Sequence, residues 1–295
     1  EPGGGGEEPG DGEEPGGGGE EPGGGGEEPG GDGPSGPDWV SISAEASHTC
    51  GVTTTGDGYC WGSAGSSKLG NGASSGTYAT PQAISDGHTW ASISAGGSHT
   101  CGITTTGAGY CWGSALTGRL GNNQTSGVSV TPHAISGGHA WASISARTSH
   151  TCGVTTTGAG YCWGSANYGK LGNNQTSGTY ATPQAISGGH TWVSISAGAD
   201  HTCGITTTGA GYCWGAANSG ALGNNQTSGS YATPQAISGG HTWASISAGG
   251  SHTCGITTTG AGYCWGAANS GKLGNGATSG SYATPQAISG GHTWA

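Results

Sequence analysis

Apolar and polar positions alternate along Trp90-Ala-Ser-Ile-Ser-Ala95, a period of two that predicts a half-buried strand. His99 to Thr104 and Gly109 to Gly113 predict two more strands. Between them Thr105-Thr106-Gly107 reads as a three-residue hairpin loop with glycine in the left-handed position. In that register Thr104 faces Ala108, Gly102 faces Tyr110, and Cys101 falls opposite Cys111, so a cystine across the hairpin follows from the turn. A fourth, weaker strand is expected near Val128 to Ile135. Pro132 interrupts it, which suits an outer edge where a missing N–H does least harm.

The same pattern recurs five times without slippage, with Trp39, Trp90, Trp141, Trp192, Trp243 and Trp294 marking a period of 51 residues (90 minus 39). The repeats run 39–89, 90–140, 141–191, 192–242 and 243–293, and the chain then enters a short start of a sixth. Repeats of this length are the mark of propeller blades or helical arrays, and four short antiparallel strands per unit favour the former. The expectation is an all-β, β-propeller-type protein of five four-stranded blades, either a closed ring or an open, assembling array. Each unit is too small to stand alone and must bury its faces on its neighbours.

Within a repeat, Ala248-Gly-Gly-Ser-His252-Thr-Cys254, Gly260-Ala-Gly-Tyr-Cys-Trp265-Gly266 and Asn269-Ser-Gly271-Lys-Leu-Gly274-Asn-Gly276 resemble the regulator of chromosome condensation repeat. Departures are small: Ser67 stands where Gly169 and Gly271 sit, and Glu45 and Arg147 replace the glycine after Ala. The resemblance implies a propeller, usually of seven blades, and some members look like protein inhibitors or guanine-nucleotide exchange factors. Exchange on a small nuclear GTPase would need a reducing setting, against which the cysteines argue. Five blades are offered here, and Trp294 duplicates the role of Trp39. The leftover Gly290-Gly-His-Thr-Trp-Ala295 has three uses: a closing strap, a strand donated to a neighbouring subunit, or the cut edge of a longer array.

Composition alone would read as disorder, because Leu, Ile and Val are scarce and Phe and Met are absent. The fixed recurrence of Trp, Tyr, Ile, Ala and cysteine overrides it. The net charge of -11 belongs mainly to a low-complexity tail at 1–38, rich in Glu, Pro and Gly. The tail holds twelve of the sixteen acidic residues. Prolines near every seventh position exclude a collagen helix and fit an extended spacer or an assembly element. The repeats carry Glu45, Asp57, Asp86 and Asp200 against Lys68, Arg119, Arg147, Lys170 and Lys272. No basic stripe is present, so nucleic acid is not an expected partner. No apolar run approaches the roughly 20 residues of a membrane helix, so insertion is not expected. With no initiating Met and no visible signal peptide, the chain reads as a processed product or an excerpt.

All ten cysteines fall in five even pairs, Cys50/Cys60, Cys101/Cys111, Cys152/Cys162, Cys203/Cys213 and Cys254/Cys264. They fit cystines in an oxidising compartment, and hence an extracellular protein. A metal reading would join His99 to Cys101 and Cys111, with His48, His150, His201 and His252 in the other repeats. That reading lacks the tight Cys-x-x-Cys knuckle and a fourth ligand, so neither metal nor cofactor is expected. His88, His139, His190, His241 and His292 would form a ring, a candidate for a transition metal or anion, if the propeller closes; as single residues they read as structural. Catalysis wants paired carboxylates or an activated nucleophile, and the four carboxylates occupy four different places in the repeat, so no enzyme is expected. Asn123, Asn174 and Asn225 head glycosylation sequons, which makes attached glycans an expectation. Tyr78, Tyr180, Tyr231 and Tyr282 recur either as exposed contacts or as packing between blades.

Two functions are consistent with these features. The first is a secreted structural repeat protein that self-associates into a homopolymer, as a subunit of an extracellular filament or surface assembly. The alternative is a monomeric extracellular binding module, inhibitor-like or lectin-like.

Overall fold

In a computed structural model, which describes residues 36–294, every repeat folds as a four-stranded antiparallel meander. The first blade is β1 (Trp39–Glu45), β2 (His48–Thr53), β3 (Gly58–Ser63) and β4 (Thr77–Ala83). The second is β5 (Trp90–Ala95), β6 (His99–Thr104), β7 (Gly109–Ser114) and β8 (Val128–Ala134). The third to fifth repeat this plan from Trp141, Trp192 and Trp243. The tail up to Ser35 lies outside the described residues, as does Ala295.

The hairpin register follows the turn. Gly107 takes a φ of 85°, its N–H donates to the Thr104 carbonyl, and Cys101 lies opposite Cys111. All five cystines are formed. Pro132 sits in β8, which pairs only with β7 and is an edge. Two bulges were not legible in the alternation, one between Trp90 and Ser92 and one between Cys111 and Gly113. The second needs glycine: Gly113 has a φ of 98°, and a Cβ there would meet the His99 Cα at 2.8 Å.

The core lies between blades. Cys50, Val52, Cys60, Leu69 and Ile84 of the first blade pack with Trp90, Ile93 and Trp112 of the second, and the set recurs at each later junction. First strands of successive blades pack on one another, whereas fourth strands do not, so the blades converge along β1, β5 and their successors. The array stays open: the first and fifth blades do not pack as neighbouring blades do. Of the two architectures expected, the closed ring is therefore not the one adopted. Among the described residues no helix is long and apolar enough to cross a membrane.

Ser67 occupies a left-handed position (φ 60°) that Gly118, Gly169, Gly220 and Gly271 fill in the other blades, and its buried Oγ has no partner. Ser67→Gly is expected to stabilise the fold by about 1 kcal/mol, by relieving both the αL strain and the orphan hydroxyl. A thermal melt that does not rise would refute this.

Candidate functional site

The repeated junction is the most elaborate polar arrangement in the molecule. His48 Nε2 lies 2.8 Å from Thr100 Oγ1 in the next blade, and the hydroxyl donates to the Lys68 carbonyl at 2.7 Å. Because that hydroxyl proton is already committed, Nε2 must be the donor to Thr100, which leaves Nδ1 bare. The Nδ1 atoms of His48, His99 and His150 are indeed buried without partners. Trp112 Nε1 donates to the same Lys68 carbonyl at 3.0 Å. Equivalent chains run His99–Thr151, His150–Thr202 and His201–Thr253, with Arg119, Lys170 and Ala221 as the acceptors.

Two further bonds complete each junction. Ala95 N donates to Ser43 Oγ at 3.0 Å, and Gly72 N donates to the Val130 carbonyl at 3.2 Å; counterparts recur down the array. One tryptophan is shared per junction. A Cβ at Gly153 in its own blade or Gly109 in the preceding one would meet the Trp141 ring, at 2.7 and 2.5 Å.

Burial keeps these histidines neutral. It lowers His48 and His201 to about 4, with Lys68 adding to the effect at His48 and His252 at His201, while Asp200 opposes it. His99 and His150 lie well below the ordinary range for the same reason, helped by Arg119 and Lys170. The cations are themselves largely buried: Lys68 caps Ser47 Oγ at 2.7 Å, and Lys170 bonds Ser149 Oγ and Asp200 Oδ1, each at 2.9 Å.

Arg147 reaches Glu45, two blades away, at 2.6 Å. Each of these residues replaces a glycine of the repeat, and their opposite signs were the only signal in the sequence that they belong together.

At the two ends the junction is half made. On the first blade Ile42 is 59 % exposed where Ile93 is 8 %, Ala44 is exposed where Ala95 is buried, and Thr49 and Trp61 are half-buried where Thr100 and Trp112 are fully buried. On the fifth blade a pocket of about 270 Å³, lined by Ile246, Cys254, Ile256, Ile288 and Trp294, lies open where Ile and Trp from a following blade would sit. A Cβ at Gly274 would meet only Ile288, whereas at Gly70, Gly121, Gly172 and Gly223 it would meet the tryptophan of the next blade.

The other residues singled out in the sequence lie apart. His88, His139, His190 and His241 each stack on a tyrosine, Tyr110, Tyr161, Tyr212 and Tyr263, at 4.2–4.3 Å, rather than on one another. Among the described residues no group of three metal-ligating side chains converges. Tyr78, Tyr180, Tyr231 and Tyr282 pack against the junction cores. Asn123, Asn174 and Asn225 are exposed in the left-handed region, and their N–H groups bond the carbonyls of Ala181, Ala232 and Ala283 in the next blade. The histidine to threonine chains escaped sequence reasoning, although the His-Thr dipeptide before every first cysteine was their trace.

Comparison with known proteins agrees with this architecture. The profile of the regulator of chromosome condensation (RCC1) repeat matches residues 157–205 and 208–256, and a second RCC1 repeat profile matches 90–115, 192–221 and 243–272. The Arabidopsis thaliana ultraviolet-B receptor UVR8 is 32% identical over 243 residues, covering 80% of this chain and 54% of the receptor. The human E3 ubiquitin-protein ligase HERC2 is 28% identical over 249 residues, 81% of this chain but 5% of the ligase. The chain thus spans about half of the first relative and a small part of the second. In fold, it is similar to human WBSCR16, with a TM-score of 0.77 at 19% identity over 85% of this chain and 67% of that one.

Proposed function

We propose that the work of this chain, whose repeats match the RCC1 repeat profiles at 90–115, 157–205, 208–256 and 243–272, is structural: it self-associates as a subunit of an extracellular assembly. The observation that carries this reading is the uncovered face of the first blade. Each internal junction buries an Ile and a Trp of the following blade, whereas on the first blade the matching Ile42 is exposed and Trp61 is half-buried. Exposed apolar faces rimmed by polar groups are what association sites look like. Five cystines, which persist in oxidising compartments, support placing the assembly outside the cell. No catalytic role is proposed for His48, His99, His150 and His201, whose Nε2 atoms are engaged in hydrogen bonds between blades. Glycans on Asn123, Asn174 and Asn225 would decorate one rim without touching the end faces.

Light scattering on the oxidised chain at rising concentration tests this. The expected result is a mass that climbs past the 28.3 kDa of one chain; a constant monomer mass would refute it.

One observation favours the binding-module alternative. Grooves of about 290 and 270 Å³ recur beside the hairpin tips of the fourth and fifth blades, lined by Thr208, Tyr212 and His241 and by Thr259, Tyr263 and His292. Hydroxyls beside aromatic rings suit a neutral, repetitive ligand such as a glycan chain. A monomer that binds such a chain would favour it.

A further inference from the structure

We propose that the hairpin tips of the fourth and fifth blades form one continuous furrow that binds a neutral polysaccharide chain lengthwise. This rests on the binding-module reading above, not on self-association, and names the path of the ligand and its contacts. Three lobes run together. The first, about 290 Å³, is lined by Thr208, Tyr212 and His241; the second, about 220 Å³, by His241, Thr258 and Tyr263; the third, about 270 Å³, by Thr259, Tyr263 and His292. Gly240, His241 and Thr242 are common to the first two, and Thr259, Ala261 and Tyr263 to the last two. The first lobe keeps its opening with a following blade in place, so the furrow belongs to the repeat and not to an end of the chain.

The walls fix the chemistry of the occupant. Among the described residues, no Asp, Glu, Lys or Arg lines any of the three lobes. In the first blade Asp57 stands where Ala210 and Ala261 stand here, so the neutral walls belong to the later blades. Thr206 Oγ1 and Thr208 Oγ1 lie 2.9 Å apart, as do those of Thr257 and Thr259, which holds the exposed Thr208 and Thr259 hydroxyls at the mouth of the furrow. A hydroxyl both donates and accepts, and each keeps capacity beyond that one bond. His241 stacks on Tyr263 at 4.3 Å and stands edge-on to Trp243 at 5.4 Å, so its ring is held where two lobes meet. A sugar ring offers the complementary set, with hydroxyls at its edge for Thr, Tyr and His and apolar C–H faces for the aromatic rings. An ion would find no opposite charge.

Size and continuity favour a chain over a single small molecule. Each lobe alone lies below the range of about 300–1,000 Å³ that ligand sites occupy, whereas the joined run falls within it. One sugar seated in a lobe raises the effective concentration of the next sugar at the next lobe, so weak contacts add along the furrow. An extended peptide would instead pair with a free strand edge. The furrow passes over turns whose N–H groups are taken: Gly209 N donates to the Thr206 carbonyl, Gly260 N to that of Thr257, and Thr258 N to that of Thr242.

Affinity electrophoresis of the whole oxidised chain, in gels containing laminarin, galactomannan, arabinoxylan or hydroxyethylcellulose, tests the furrow, with circular dichroism confirming the fold of each variant. At least one of these neutral polymers is expected to retard the chain, equally at low and high salt because no ion pair contributes. Its constituent monosaccharide is expected to compete roughly a hundredfold more weakly than the polymer. Ala261→Trp fills the passage between the second and third lobes at a half-buried position, and is expected to abolish retardation. His241→Ala removes the ring shared by the first and second lobes and is expected to weaken binding by about tenfold. Retardation that ignores both variants would overturn the furrow while leaving a glycan-binding module standing. A monosaccharide that competes as well as the polymer would overturn lengthwise binding. A folded chain that none of the four polymers retards would overturn both the furrow and the glycan reading.

Discussion

Acidified from neutrality, the array is expected to unfold cooperatively between about pH 5.5 and 4, followed by tryptophan fluorescence and circular dichroism. The sign follows from the buried histidines. Above an ordinary histidine pKa of 6.5 they are neutral in both folded and unfolded chains, and nothing is lost. Below it the unfolded chain takes up protons, while His48 and His201 stay neutral until about pH 4. At pH 5 each of the two therefore costs about 2 kcal/mol, that is 1.5 pH units at about 1.4 kcal/mol per unit. His99 and His150, fully enclosed and held well below the ordinary range by burial, add to this. His252, on the open face, contributes less. Against a typical stability of about 5–15 kcal/mol for a domain the sum is decisive. The same protonation would strip Nε2 of nothing but would charge Nδ1, which in His48, His99 and His150 is buried without a partner, so no bond within those junctions offsets it. An array that keeps its fold below pH 3.5 would contradict the assignment of neutral, buried histidines.

Reduction is expected to have the next largest effect. Each cystine closes the same short hairpin loop, its partners ten positions apart, and by the chain-entropy estimate contributes about 2–3 kcal/mol. Loss of all five would exceed what so thin a core can sustain, and the chain is expected to unfold in strong reductant at room temperature. The order of loss is informative. Cys50, Cys60, Cys101, Cys111, Cys152, Cys162, Cys203 and Cys213 are wholly buried, whereas Cys254 borders the open pocket and is partly exposed. Mass-spectrometric mapping of alkylated cysteines during mild reduction should find Cys254 and Cys264 labelled first at low protein concentration. Uniform labelling across the five hairpins would count against the exposure difference.

Much of the blade was written in the chain. The Trp90 strand, the Gly107 turn and the Cys101 to Cys111 register all follow from rules that act over a few residues, where alternation and turn chemistry are strong. The bulge at Gly113 was less legible, since a glycine in a strand signals irregularity without saying which kind. What joins blade to blade was not legible at all. His48 meets Thr100 across 52 positions, and because every repeat carries the same His-Thr pair, the sequence does not say whether a histidine turns inward, to its own blade, or onward. The openness of the array was equally hidden: it depends on the angle between blades, which accumulates from packing of Trp and Leu side chains and has no local code. Glu45 and Arg147 show the reverse case. Two departures from glycine with opposite charge stood out in the repeat, and the fold brings them together.

The proposed function predicts that copies of this chain associate with one another through the uncovered face of the first blade. Electron cryomicroscopy of the oxidised protein, with no reductant at any stage, tests it most directly. The expected image is an assembly of several subunits in which density from a neighbouring copy covers Ile42 of the first blade. Discrete single arrays, or rings in which the fifth blade meets the first blade of the same chain, would contradict it.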